Sequence, residues 1–163
     1  MKNASLLMAA VLAAGLPAVA SAAPAQRFLQ DAVAGDNGEV ANGRMAQQQG
    51  ASPGVKDFGR TLERDHAAAK DQALATARQV HARVDADMVK PEAKAVGRRL
   101  SRMSGAQFDR EFVRAMIADH RKDIAKFEAQ ARSGDPATRK LARETLPHLK
   151  HHLQTAMDLQ RGR

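Results

Sequence analysis

Four polar residues interrupt the apolar stripes of four helix-like segments, one in each segment: Glu39, His66, His120 and His152. Imidazole and carboxylate groups are common ligands of zinc, iron and copper in proteins. A polar group buried in such a stripe is costly unless something satisfies it. Four helices that each turn one ligand toward a common axis are typical of a metal site in a bundle core. The pattern therefore predicts a metal site with zinc, iron or copper as the candidate ion.

The predicted depth of these residues supports the same interpretation. At about 1.5 Å of rise per residue, they lie roughly 18 to 27 Å along their helices from the nearest predicted turn. All four then lie near the middle of the bundle, within one or two helical turns of one another. An alternative remains open, because a core histidine often only donates a hydrogen bond to a carboxylate and binds no metal.

Four further residues are secondary candidates for metal ligands or for their supporting partners: Glu63, Asp119, Asp123 and His148. Glu63 stands three residues before His66, and this Glu-x-x-His spacing places both side chains on one helix face. Asp119 and Asp123 flank the histidine of the third segment, and His148 lies one turn before that of the fourth. A histidine-rich set with one or two carboxylates suits zinc, copper or iron better than magnesium or calcium.

The elements that must position these residues are four long helices, predicted near residues 26–49, 53–84 and 104–132 and from 135 nearly to the end of the chain. Ser52 and Asp135 are each followed by proline, which is a typical helix start. Ser104 with Gln107 matches a capping box, and Pro91 is expected to open a short helix in the connection between the second and third long helices. The predicted fold is therefore all-α, a four-helix bundle with one short extra helix.

A helical wheel at about 100° per residue assigns the buried face of each long helix. The first stripe contains Phe28, Ala32, Gly35, Glu39, Gly43 and Ala46, and the second contains Val55, Phe58, Leu62, His66, Ala69, Ala73 and Val80. The third contains Phe112, Met116, His120, Phe127 and Ala131, and the fourth contains Leu141, Thr145, His148, His152, Ala156 and Leu159.

The N-terminus resembles a cleavable export signal. Lys2 precedes an apolar run over residues 4–19, and "ASA" at residues 20–22 is a small-residue cleavage site. The run is too short for a membrane span and nothing apolar continues it. We therefore expect a signal peptide over residues 1–22, a single domain over 23–163 without a transmembrane segment, and a periplasmic or secreted location.

Composition narrows the function classes. The chain has no cysteine, which excludes disulfides, thiolate metal sites, cysteine nucleophiles and a lipidated N-terminal cysteine. It also has no tryptophan or tyrosine, so base-stacking platforms are not expected, and export argues against a nucleic-acid partner. The formal net charge of +8 is spread along all the helices. This charge indicates a solvated surface, or weak association with an anionic envelope surface.

At the same residues the sequence resembles the exported bacterial proteins grouped as domain of unknown function 4142, within the ferritin-like superfamily. The matching stretches are "FLQDAVAGDNGEVANGRMA" from Phe28, "VKDFGRTLERDHAAA" from Val55, "LSRMSGAQFDREFVRAMIADHRKDIAKFE" from Leu100 and "TLPHLKHHLQTAM" from Thr145. The resemblance implies a ferritin-like four-helix bundle and no established activity.

The resemblance also bears on the site. Glu39, His66, His120 and His152 stand at positions that match the family pattern, whereas His148 stands where the family varies. True di-iron proteins of this superfamily use mostly carboxylates with two Glu-x-x-His motifs, and this chain offers that spacing once. The resemblance therefore favours a histidine-rich site over an oxygen-activating di-iron centre.

Three functions follow as hypotheses. The first is a periplasmic metal-binding bundle for storage, buffering or stress protection. The second is an enzyme, a metal-dependent oxidase or hydrolase that uses the same ligands with an open coordination position. The third is a metal-free helical module that binds an anionic envelope partner. Metal analysis separates the third from the other two, and an oxygen-consumption or peroxide assay separates the second from the first.

Overall fold

The computed structural model describes residues 19–162 of the chain, with side chains from Ala23 onward. It contains five helices: α1 (Val19–Gln49), α2 (Pro53–Gln79), α3 (Pro91–Leu100), α4 (Gly105–Ser133) and α5 (Pro136–Arg161). The only β feature within this range is a single parallel bridge between Gly50 and Gly105. The all-α class and the short helix at Pro91 are thus confirmed. Residues 1–18 of the predicted signal lie outside the described residues, so the signal peptide stays a prediction.

Two of the three predicted helix caps are present. Ser52 accepts a hydrogen bond from the Val55 amide, and Asp135 accepts hydrogen bonds from the first amides of α5. The capping box at Ser104 is wrong, because the Ser104 side chain makes no cap hydrogen bond. Gly105, the first residue of α4, has a φ of 63°. A capping box needs a helical conformation at this position, but Gly105 has a left-handed conformation there.

Two helix ends also differ from the prediction. The first helix begins at Val19 rather than near residue 26, because an alanine-rich stretch favours helix strongly. The second ends at Gln79 rather than near residue 84. There His81 adopts a left-handed φ of 54°, and the Ala82 amide donates to the Ala77 carbonyl at 2.9 Å. This hydrogen bond is typical of a Schellman motif, but its usual glycine is absent here, so the stop of this helix could not be predicted from a residue type.

The long helices pack most extensively as two pairs, α1 with α2 and α4 with α5, and contacts of α2 with α5 and of α1 with α4 join the pairs. Gly43 and Gly59 lie where α1 and α2 approach most closely. A Cβ atom on Gly43 would lie 2.7 Å from the Gly59 carbonyl oxygen, and the reverse distance is 2.6 Å. Any larger residue at either position would therefore force the two backbones apart.

The apolar side chains form two buried clusters with the middle of the molecule between them. One cluster includes Leu62 of α2, Met116 of α4 and Ala156 of α5. The other includes residues two or three turns away along the same three helices, namely Ala73, Phe127 and Leu149. The buried stripes are predicted well, with one clear error, since His148 is exposed and Leu149 takes its place in the core. Among residues 19–162, no helix is long and apolar enough to cross a membrane.

Candidate metal centre

Three of the predicted histidines meet between the two apolar clusters. His66 comes from α2, His120 from α4 and His152 from α5, and each is at most 4% exposed. One ring nitrogen from each histidine lies within 4.8 Å of the other two, and the ring centroids are 5.3 to 5.6 Å apart. Three helices that lie far apart in sequence therefore place three imidazoles around one buried point.

Two of these histidines are oriented by carboxylates. His66 Nδ1 donates to Asp36 Oδ1 of α1 at 2.8 Å, and His152 Nε2 donates to Asp65 Oδ2 of α2 at 2.9 Å. We assign the protons to these nitrogens because a carboxylate can only accept. A hydrogen bond of this kind on the outer nitrogen fixes the ring orientation of a metal-binding histidine and makes its other nitrogen a better ligand.

The third histidine is oriented by the backbone. His120 Nδ1 donates to the Met116 carbonyl oxygen, one turn earlier in α4, at 2.9 Å. With these three protons assigned, the nitrogens that keep a free lone pair are His66 Nε2, His120 Nε2 and His152 Nδ1. These three atoms face the point that the rings surround, so every inward-facing nitrogen of the centre is a hydrogen-bond acceptor.

The inward-facing nitrogens lack donors. His120 Nε2 and His152 Nδ1 are 3.4 Å apart, and His66 Nε2 is buried without a hydrogen-bond partner among the described residues. Two facing lone pairs repel unless a cation or a proton lies between them. Bonds of about 2.0–2.1 Å from zinc to nitrogen, at a tetrahedral angle, separate two nitrogens by about 3.3–3.4 Å. The observed separation therefore fits a shared metal ion.

The protonation state also suits metal binding. Burial, together with the charges of the neighbouring histidines His66 and His152, lowers the pKa of His120 to about 3. Burial likewise lowers the pKa of His152 to about 4, although Asp65 opposes the shift. Both rings are therefore neutral near pH 7, and the neutral imidazole is the form that binds a metal.

The sequence reasoning missed the two orienting carboxylates. Asp65 is adjacent to His66 in α2, yet it reaches His152 of α5. Asp36 lies on α1, one turn before Glu39, and burial raises its pKa while the charge of His66 opposes that shift. The available signal was the "DH" pair at residues 65–66, since neighbours on a helix point about 100° apart and so face different helices.

Glu39 is buried, but the structure does not place it with the three histidines, whose group in the described chain has no carboxylate member. It hydrogen-bonds Asp119, the acid of the second "DH" pair. Burial raises the pKa of Glu39 well above its usual value, and the charges of Asp119 and Asp123 raise it further. Asp123 itself lies 3.7 Å from the Lys90 ammonium and 4.0 Å from that of Lys126. These residues form a carboxyl cluster on the α1–α4 side.

The two remaining candidates also lie outside the group of three. Glu63 accepts hydrogen bonds from Arg44 at 2.7 Å and from Gln47 at 2.6 Å, which ties α2 to α1. His148 is exposed and lines a cavity beside the histidines. Neither residue contributes a ligand atom to the three-histidine centre in the described structure.

Comparison with known proteins places the chain in a family. The family described as "Domain of unknown function (DUF4142)" matches residues 12–159. The chain belongs to the DUF4142 family. No curated protein and no solved structure matches it. The match spans all three histidines and both orienting carboxylates of this DUF4142 protein, and the resemblance inferred from its motifs is confirmed.

Proposed function

We propose that this DUF4142 protein binds one transition-metal ion through His66 Nε2, His120 Nε2 and His152 Nδ1. The observation that carries the proposal is that the opposite nitrogen of each ring donates to a fixed acceptor, so three buried lone pairs converge. Neutral imidazoles suit zinc, copper and iron, and an ion at the centre would satisfy the unpartnered nitrogen of His66.

We infer further that α1, α2, α4 and α5 form a four-helix bundle of the ferritin-like type. The pairwise packing of these helices, with α3 against α1 and α4, supports this arrangement. The apolar leader and its "ASA" site support export, so the protein would hold its metal in the periplasm. The function that fits best is metal storage, buffering or stress protection in that compartment.

A second candidate function, a metal-dependent oxidase or hydrolase, is favoured by one observation. The centre offers three nitrogen ligands, and within the described residues no carboxylate completes the set. Three protein ligands with one open position are typical of catalytic zinc, whereas structural zinc has four. An oxygen-consumption or peroxide assay of the metal-loaded protein distinguishes this candidate from storage.

The test is thermal melting of the purified protein with and without zinc, copper(II) or iron(II). Metal bound only to the folded state raises Tm, and at a metal concentration of 1,000 times the Kd the stabilisation is about 4 kcal/mol. We expect His66→Ala, His120→Ala and His152→Ala each to abolish most of the shift. His151→Ala is the matched control, because His151 is the exposed neighbour of His152 on the same helix.

Two outcomes would contradict the proposal. The first is a wild-type protein whose Tm responds to none of the three metals. The second is a metal-induced shift that survives in His66→Ala, His120→Ala and His152→Ala alike, because the metal would then bind elsewhere. A metal-free protein that instead binds vesicles of anionic lipid would support the helical module with an envelope partner.

A further inference from the structure

A small cavity lies beside His66 and His152 of the three-histidine centre, on the side where α2 faces α5. It encloses about 130 Å³, and its walls include His66, His152 and Asp65 of the centre together with Ala69, Thr145 and Leu149. The mouth is formed by exposed residues, among them Ala68 and His148. The cavity thus connects the surface to two of the three proposed ligands.

The coordination of the metal requires at least one ligand besides the three imidazoles. Three imidazoles fill three positions of an ion that takes at least four ligands. Within residues 23–162 no carboxylate belongs to the group of donor atoms. The fourth ligand must therefore come from solution, and it must carry a lone pair. Because imidazoles are neutral, they leave the positive charge on the ion, which favours water, hydroxide or a small anion at the open position.

The size of the cavity limits the ligand. Sites for drug-sized molecules measure about 300–1,000 Å³, whereas one water molecule occupies about 30 Å³ in the liquid. A space of about 130 Å³ therefore holds a few water molecules or one molecule of a few heavy atoms. The small side chain of Ala69 is what keeps this space open, since a larger residue at that position would project into it.

We propose that this cavity is the route by which a small lone-pair donor, of about two to four heavy atoms, reaches the open position of the metal. The proposal rests on the metal site proposed above. It assigns His148 to the mouth of the route rather than to the ligand set, and it places Ala69 and Leu149 in the walls that limit the size of the incoming molecule.

The test uses cobalt(II) as a spectroscopic metal and azide as the small anion. Cobalt(II) bound by three imidazoles gives visible absorption bands, and azide at the open position should change them in a saturable way. Ala69→Leu should weaken azide binding at least tenfold while the spectrum without azide stays the same. Ala67→Leu is the matched control, because Ala67 is exposed and does not line the cavity.

A second variant covers the case in which Ala69→Leu does not fold. Ala68→Leu narrows the mouth from an exposed position and should slow azide association, again without changing the cobalt spectrum. A protein that binds no cobalt(II) overturns the proposed metal site itself. Cobalt(II) bands that do not respond to azide overturn the open position alone. An azide affinity in Ala69→Leu equal to that of wild type overturns the route, and where that variant does not fold, a wild-type rate of azide association in Ala68→Leu overturns it.

Discussion

Two buried polar clusters meet at adjacent residues of α4, and their groups respond to burial in opposite ways. His120 belongs to the three-histidine centre, where each ring donates a proton outward to a fixed acceptor. Its neighbour Asp119 belongs to the carboxyl cluster, where it faces Glu39 and adds to the effect of burial in raising the pKa of Glu39. Each cluster leaves one buried atom without a hydrogen-bond partner among the described residues, His66 Nε2 in the first and Glu39 Oε2 in the second. The second cluster has cations beside it, since Lys90 and Lys126 lie next to Asp123, whereas the first is short of a cation.

The difference shows that burial alone does not identify a metal site. Glu39 and His120 are equally buried, at 3% and 2% exposure, and both have an acidic neighbour. What separates them is the direction of their lone pairs and protons. Outward donors leave converging acceptors at the histidines, whereas burial and the facing carboxylate of Asp119 raise the pKa of Glu39.

The largest predicted effect is a loss of stability of the metal-free protein in acid. The pKa of His120 is about 3 in the folded state and about 6.5 unfolded, so between these values the unfolded chain binds more protons. Stability should therefore fall as the pH drops from 6.5 toward 3, by at least about 2 kcal/mol. Urea unfolding at several pH values measures this, and His120→Gln should flatten the decline. An equally steep decline in His120→Gln would show that other groups cause it.

Loss of an orienting carboxylate should have an intermediate effect. Asp36→Asn and Asp65→Asn each keep the shape of the side chain but remove the charge that holds the outer proton of a histidine. We expect each to lower metal affinity about 10- to 100-fold, as is usual for such supporting partners. A competition titration with a metal indicator measures this affinity.

The matched control is Asp119→Asn. Asp119 stands directly before His120, as Asp65 stands directly before His66, but it belongs to the carboxyl cluster. Its metal affinity should remain within about threefold of wild type, which is less than about 0.7 kcal/mol. Equal losses in Asp36→Asn, Asp65→Asn and Asp119→Asn would mean that the two clusters act as one site, and the distinction between them would fail.

The smallest predicted effect is a gain in stability in Glu39→Gln at mildly alkaline pH. The folded pKa of Glu39 lies above its unfolded value, so its contribution to stability is complete below about pH 4.5 and is lost as the pH rises through the folded pKa. Glutamine removes this loss, and we expect about 1 kcal/mol of stabilisation at pH 8 and little change at pH 4. A variant less stable than wild type at pH 8 would show that the carboxylate is needed in its charged form.

The helices and their buried faces could be predicted from local sequence patterns. Ser52 and Asp135 fix two helix starts through local hydrogen bonds, and the period of about 3.6 residues places His66, His120 and His152 in the core. These are local properties, because a cap and an apolar stripe depend on residues within a few turns of one another. The end of α2 was not predicted, because His81 adopts the left-handed conformation that glycine usually takes at a helix end.

Which of the buried residues share a site depends on how the helices pack against one another. A helical wheel gives the inward face of each helix, but it fixes neither the rotation of one helix against the next nor their relative shift along the axis. Those quantities depend on packing, including the Gly43–Gly59 approach of α1 and α2. They turn Glu39 toward Asp119 and leave it outside the group of three histidines. They also bring Asp65 to a helix more than 80 residues away in sequence, a contact that no local pattern encodes.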